Sequence, residues 1–263
     1  MNRIENRLNN LKKENKKAFI TYMTAGLPSM EKTIDIIKAQ YEAGIDVIEL
    51  GIPFSDPIAD GPVIQDASYR SIQKGTNLKG VFNLAVELRK TCDVPLIFML
   101  YYNTVLNYGV QRFVDMCISC GVDGIIIPDV PHEESFEILE YINKKENAPY
   151  LIPLVSPVSK NRIPMLVENA KGFVYCVSSM GVTGQATDNF YKNIKEYLKS
   201  VKEVSNIPVM MGFGIKTPDD IKEYEDVIDG CIVGSYFIKL MEENNFDIEK
   251  IKEYISDFKK KLN

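Results

Sequence analysis

Histidine is almost missing from this chain: His132 is the only one in 263 residues. A zinc site needs about four ligands of the His, Cys, Asp or Glu kind, so no metal is expected. Cysteine is sparse too. Cys92, Cys117, Cys120, Cys176 and Cys231 are too scattered to staple a chain of this length, and a reducing, cytoplasmic setting is expected. No apolar run approaches the ~18 residues of a membrane helix. The first residues, MNRIENRLNNLKKENKK, carry no apolar segment, so no signal peptide is expected. Nor is there an excess of positive charge. Lys plus Arg is 31 against 36 Asp plus Glu, a net -5, which argues against nucleic acid or an anionic membrane as a partner. An anionic small molecule would need a local cradle rather than a basic face.

One cysteine pair has a suggestive spacing. Cys117 and Cys120 form a C-x-x-C in RFVDMCISCGVDG. Phe113, Val114, Cys117 and Cys120 recur at helical spacing, and the pattern stops at Gly121. The pair therefore reads as core-facing, reduced side chains rather than ligands.

Short apolar runs recur along the chain, each followed by an amphipathic stretch. Strands are predicted near Ala18–Met23, Asp46–Leu50, Pro95–Tyr101, Gly124–Ile127, Pro149–Leu154, Gly172–Val177, Pro208–Met211 and Gly230–Val233. Helices are predicted at Arg3–Glu14, Met30–Ala43, Asn77–Arg89, Val110–Ser119, Glu133–Asn143, Lys160–Asn169, Asp188–Val204, Pro218–Glu225 and Ile248–Leu262, with a short turn near Tyr236–Glu242. The strands are nearly all apolar rather than alternating, as parallel strands covered by helices are. Eight strand–helix units in a chain near the ~250 residues of one (β/α)8 barrel favour that closed form over a doubly wound sheet. With no Gly/Ser linker, the expectation is an α/β fold: a single TIM barrel over residues 1–263 with an extra N-terminal helix closing its bottom.

Barrel active sites lie at the C-terminal ends of the strands. There the second strand reads DVIELGIPFSDPIADGPVIQDA. Glu49 interrupts an otherwise apolar run, where poor solvation would raise its pKa and suit it to hold and release a proton near neutrality. The alternative is a structural pairing with a buried Lys or Arg. The loop beyond carries Asp56 and Asp60, stiffened by Pro53, Pro57 and Pro62, with Gly51 and Gly61 expected to allow turns. Two carboxylates in different settings divide acid and base roles; alternatively, Asp56 and Asp60 are ordinary turn residues.

Glycines follow three successive late strands: Gly181 and Gly184, with Thr183, in SSMGVTGQATDN; Gly212 and Gly214 in GFGIKTPDD; and Gly234 with Ser235 in VGSYFIKL. Backbone N–H groups at such loops and helix starts bind phosphate without a cationic side chain, so an acidic protein can still hold one.

The segment ELGIPFSDPIADGPVIQDA resembles the signature of the tryptophan synthase alpha subunit family. FVYCVSSMGVTG is similar to that family's sixth strand and mobile loop, GFGIKTP and IVGSYFIK to its phosphate loops, and PLIFMLYYN and IIIPDVPHEES to its third and fourth strand ends. The resemblance runs in order from about Ala18 to Lys239. It implies retro-aldol cleavage of indole-3-glycerol phosphate to indole and glyceraldehyde 3-phosphate. Glu49 would be the acid–base residue and Asp60 the partner of the indole N–H. Tyr175 would pack beside Glu49, and Thr183 would close over the site onto Asp60. Gly184, Gly214, Gly234 and Ser235 would hold the phosphate, and Tyr22, Leu100, Tyr101 and Ile127 would wall the indole. No cofactor is implied in this chain. The implied partner is a beta subunit that uses pyridoxal phosphate, in an alpha2-beta2 heterotetramer contacted through Pro53–Asp56, Asn103–Asn107 and Pro131–Glu134.

Two residues depart from the family pattern. Ser179 stands where many relatives carry Arg beside the mobile loop, and Tyr22 stands where Phe is frequent. His132 sits near the implied partner contact, although it reads first as a solvent-exposed residue near a helix start. Three other functions stay open: a lyase that works alone and releases free indole, an isomerase of sugar or aminosugar phosphates on the same barrel, and a non-enzymatic activator of a partner. Copurification with a pyridoxal-phosphate protein separates the first from the synthase, a base after another strand marks the second, and an intact Glu49 and Asp60 argue against the third.

Overall fold

In a computed structural model, residues 2–177 and 188–263 are described, with backbone only for 188–193. The strands are β1 (Ala18–Thr24), β2 (Val47–Gly51), β3 (Leu96–Met99), β4 (Gly124–Ile126), β5 (Tyr150–Leu151), β6 (Leu154–Val155), β7 (Val174–Cys176), β8 (Val209–Met211) and β9 (Gly230–Val233). All pair in parallel, in the order β5-β4-β3-β2-β1-β9-β8-β7-β6. The two ends of that order are halves of one segment. Ile152 N–H donates to Ile125 O at 2.9 Å on one side, and Tyr175 N–H donates to Pro153 O at 3.0 Å on the other. The sheet thus closes into a (β/α)8 barrel whose fifth strand is interrupted at Pro153, a residue with no N–H to give to a ladder.

The helices are α1 (Arg3–Lys13), α2 (Met30–Glu42), α3 (Pro62–Gln73), α4 (Leu78–Arg89), α5 (Tyr102–Tyr108), α6 (Val110–Ser119), α7 (Phe136–Asn143), α8 (Ile163–Val167), α9 (Asp188–Val204), α10 (Ser235–Glu243) and α11 (Ile248–Leu262). Side-chain caps begin several of them: Asn2 accepts from Ile4 N, Ser29 from Lys32 N and Asp247 from Glu249 N and Lys250 N. Their apolar faces pack on the outside of the sheet, where the Phe258 ring of α11 stacks 3.9 Å from Phe19 of β1. Cys117 is in this layer, and Cys120 caps α6, also buried.

A second apolar cluster fills the barrel itself. Ala18, Ile20, Val47, Ile97, Ile126, Phe173, Tyr175, Met210 and Ile232 meet Ile4, Leu8 and Leu11 of α1, which plugs the bottom as expected. Three aspartates organise that end. Asp46, Asp123 and Asp229 each precede a strand and accept the backbone N–H of a neighbouring strand, from Phe19 at 2.7 Å, Leu96 at 2.9 Å and Val209 at 2.7 Å. Cations pair with each: Arg7 and Lys259 with Asp46, Arg3 and Arg89 with Asp123, and Lys202 with Asp229. Ion pairs are therefore spent on closing the bottom, which leaves the opposite end free for polar groups with other work.

Several expectations change. The region after Asp60 is not all loop, since Pro62 opens α3 at a first-turn position that costs no hydrogen bond. Gly51 and Gly61 make no special turn: Gly51 is the last strand residue, and Gly61 is extended at φ -77. α5 was not foreseen, and the turn predicted near Tyr236–Glu242 is the helix α10. The helix expected over Lys160–Asn169 starts as a 3-10 turn, Pro157–Arg162, before α8, and Pro218–Tyr224 is likewise 3-10.

Candidate active site

Glu49 projects from the middle of β2 and is 0% exposed. Among the described residues neither carboxyl oxygen has a hydrogen-bond partner and no Lys or Arg reaches it, so no structural pairing is found there. A carboxylate in that setting would carry an unsolvated charge. Burial accordingly raises its pKa well above the ordinary glutamate value, which favours the acid form.

Its flanks are aromatic. Tyr22 of β1 is the parallel-sheet partner of Glu49, so the two side chains rise from adjacent strands on the same inward face. Tyr175 of β7 is buried across the barrel. Burial first, then the neighbouring Glu49, Tyr22 and Asp60, push the Tyr175 phenol well above its ordinary value; for Tyr22 burial leads, followed by Asp60 and, more weakly, Glu49. Each ring therefore stands near both carboxyls.

Two glycines make room for these rings. A Cβ on Gly51 would lie 2.1 Å from the Tyr22 hydroxyl oxygen, and a Cβ on Gly212 would lie 2.1 Å from the Tyr175 ring. Sequence reasoning had assigned Gly51 to a turn and Gly212 to a phosphate loop. The signal that could have found them is register: Gly51 lies two residues past Glu49, on the same face of the strand.

Asp60 comes in over the barrel mouth from the loop after β2. Its backbone N–H closes a turn onto Pro57 O at 3.0 Å, so it is a turn residue as well. Its side chain is held from the residue that caps α5, just past β3: the Tyr101 hydroxyl donates to Asp60 Oδ2 at 2.9 Å and accepts from Ala59 N–H at 3.0 Å. Phe54, unremarked in the sequence, stacks on the Tyr101 ring at 5.0 Å. Burial raises the Asp60 pKa to about 6, against the opposing hydrogen bond from Tyr101. Both carboxyls are thus shifted upward by burial, Asp60 with an opposing hydrogen bond from Tyr101 and Glu49 with none among the described residues. Asp56 is exposed; its carboxylate accepts from Ser55 and its backbone carbonyl accepts from Ile58 N–H at 2.9 Å, the arrangement of a turn residue.

The glycines after β8 and β9 stand at the same end of the barrel. β9 lies beside β1, and the space above Gly234 opens 3.7 Å from Tyr22 Cβ, so β2, β1 and β9 carry Glu49, Tyr22 and Gly234 side by side. Gly234 caps α10, whose first intrahelical bond is Ile238 N–H to Gly234 O at 3.2 Å. The amides of Ser235, Tyr236 and Phe237 precede it and are free to bind an anion. Gly214, after β8, has φ +70, a left-handed conformation natural to glycine. Leu100 and Ile127 are buried just past the ends of β3 and β4, within the larger apolar cluster that also holds Tyr22. Thr183, Gly184 and Ser179 lie outside the described residues.

Around the mouth, the segments after β2, β3 and β4 expose apolar side chains: Ile58 at 82%, Phe136 at 60% and Leu106 at 49%. His132 is half-buried, opens a 3-10 turn and meets the Phe136 ring edge-on at 5.5 Å.

A profile of the tryptophan synthase alpha chain family matches residues 8–263. A tryptophan synthase alpha chain from Lachnospira eligens is 61% identical over the whole of both chains, and one from a Thermoanaerobacter species is 45% identical over the same extent. Among solved structures, tryptophan synthase subunit alpha from Legionella pneumophila superposes with a TM-score of 0.89 at 33% identity, covering 100% of this chain and 98% of that one. A Mycobacterium tuberculosis tryptophan synthase chain gives 0.89 at 29% identity, covering 99% and 98%.

Proposed function

This chain belongs to the tryptophan synthase alpha chain family, and from that premise we propose how its own side chains divide the work. The reaction is a carbon–carbon lyase step in tryptophan biosynthesis: indole-3-glycerol phosphate gives indole and glyceraldehyde 3-phosphate, and the indole passes to a beta subunit.

Glu49, held as the neutral acid, protonates indole C3. The ring becomes a cation with its charge at the nitrogen, and Asp60, anionic above its pKa of about 6, accepts the N–H and stabilises that charge. The bond from C3 to the glycerol carbon then breaks. Its electron pair returns to the ring, the hydroxyl oxygen becomes the aldehyde oxygen, and the hydroxyl proton goes back to the Glu49 carboxylate. The cycle balances with side-chain acid–base chemistry alone, so no cofactor is assigned to this chain; pyridoxal phosphate is assigned to the beta partner.

Gly214, Gly234, Ser235 and Gly184 hold the phosphate through backbone amides. Tyr22, Leu100, Tyr101 and Ile127 wall the indole, Tyr175 keeps Glu49 in place, and Thr183 closes onto Asp60. The whole chain, 1–263, acts as one catalytic domain. The apolar row of Ile58, Leu106 and Phe136, with Pro53–Asp56, Asn103–Asn107 and Pro131–Glu134, is the beta-subunit contact of an alpha2-beta2 assembly. No helix among the described residues is long and apolar enough to cross a membrane, and we assign the protein to the cytoplasm.

The observation that carries the mechanism is Glu49: a wholly buried carboxyl whose two oxygens have no hydrogen-bond partner among the described residues. An acid placed there without structural employment costs stability, which is typical of a working site. The test is indole formation by the complex with a beta subunit. Glu49→Gln and Asp60→Asn are each expected to lower turnover at least ~100-fold while the chain still folds. Turnover near that of the parent chain in either variant would reject the assignment.

A further inference from the structure

Tyr22 has a hydroxyl that a wall for an indole ring does not need. Its position is specific. The ring starts beside Gly234 at the phosphate loops, lies in register with Glu49, and ends where a Cβ on Gly51 would be, 2.1 Å from the phenolic oxygen. Gly51 is one inward-facing layer nearer the mouth than Glu49, so the hydroxyl climbs past Glu49 toward the loop that carries Asp60. Only a glycine at position 51 leaves that path open.

At the far end of the path Asp60 is half satisfied. Tyr101 takes Oδ2, and no other hydrogen bond to this carboxylate forms among the described residues. We propose that Tyr22 is a positioning residue, a second phenol that donates to the Asp60 carboxylate from the barrel floor while Tyr101 donates from just past β3. This rests on the role given to Asp60 above. The carboxylate must stay anionic in a site that is losing water as substrate binds, and two phenols in place of bulk water keep it so without adding a cation that would oppose the charge on indole nitrogen. The other groups near the Tyr22 hydroxyl are Thr24, whose hydroxyl can hydrogen-bond to it, Tyr101 and, most weakly, Glu49; of the two carboxyls Asp60 acts on the phenol more strongly.

Tyr22→Phe removes the oxygen and keeps the ring. The full chain, assayed as its complex with a beta subunit on indole-3-glycerol phosphate, is to be followed from pH 5 to 9. Loss of a donor raises the Asp60 pKa, so the acid limb of kcat/KM moves up by roughly half to one pH unit. Activity falls about three- to tenfold below neutrality, and the deficit narrows to under about twofold above pH 8. Tyr101→Phe is expected to move the same limb in the same direction, which identifies the limb as that of Asp60. A Tyr22→Phe profile that superimposes on the parent, or that drops equally at every pH with a raised KM, overturns the proposal while leaving the lyase mechanism intact. Full activity in Asp60→Asn would instead remove the mechanism and the proposal together.

Discussion

The Tyr101 hydroxyl donates to Asp60 at 2.9 Å and at the same time accepts the N–H of Ala59 at 3.0 Å, so one phenol fixes both the carboxylate and the backbone that carries it. The ring is in turn stacked on Phe54 from the same loop. A proline-stiffened loop is thereby tied to the segment just past β3, and Asp60 is held over the mouth of the barrel before substrate arrives. Preorganisation of that kind is what makes an anion effective against a charge that develops only during reaction.

Asp60 also leaves a signature in stability. Its folded-state pKa of about 6 lies above the 3.8 of the free side chain. An acid with a raised folded pKa costs nothing at a pH below both values, where it is protonated in either state. The cost grows as pH rises between the two values and is complete above the folded one. Asp60→Asn is therefore expected to stabilise the chain by about 1–2 kcal/mol at pH 8, allowing for its partial exposure, and by close to nothing at pH 3.5. Urea unfolding of both proteins at the two pH values checks it.

Glu49→Leu removes a buried carboxyl that bonds to nothing among the described residues and puts an apolar side chain of similar size in its place. Thermal unfolding is expected to show a gain of about 1–3 kcal/mol, together with loss of indole formation. A loss of stability would mean that the carboxyl has a structural partner after all.

Gly212→Ala would push a methyl against the Tyr175 ring, 2.1 Å away. Moving that ring disturbs the neighbour of Glu49. A drop in kcat of about 10-fold or more is expected with the phosphate end unaffected, as measured by inhibition with glycerol phosphate. Tyr175→Leu in the same background should recover part of the rate by relieving the contact.

At the opposite end, Asp123→Ala would take from Arg89 its carboxylate partner, leaving it only backbone carbonyls, and would leave the Leu96 N–H without this acceptor. A destabilisation of about 3–5 kcal/mol is expected. KM at a temperature where the variant is folded should stay within about twofold, because this end of the barrel takes no part in the chemistry.

Much of this was legible in the sequence because it follows from periodicity. The apolar runs gave the strands, α1, α2, α6, α9 and α11 fell close to their predicted spans, and a charged residue inside the run VIELG marked Glu49. What was not legible depends on contacts between distant segments. Tyr101 and Asp60 are 41 residues apart and meet only because the barrel brings the loop after β2 across to β3. Gly51 and Gly212 looked like loop glycines because a one-dimensional pattern does not show a neighbour's ring. α3, α5 and α10 were missed for a local reason: each begins directly after a strand or a proline-rich loop, with no Ser, Thr, Asp or Asn side chain capping it. The breaking of the fifth strand at Pro153 was visible as a residue but not as a consequence.

The most direct test of the mechanism is the protonation state of Glu49 itself, read from carbon-13 NMR of the carboxyl groups between pH 4 and 8, with Glu49→Gln used to assign the resonance. The Glu49 signal is predicted to keep the chemical shift of a neutral acid at pH 7, where the exposed glutamates are already ionised. A Glu49 signal that titrates together with those surface residues, near pH 4.5, would show a solvated carboxylate and contradict the account.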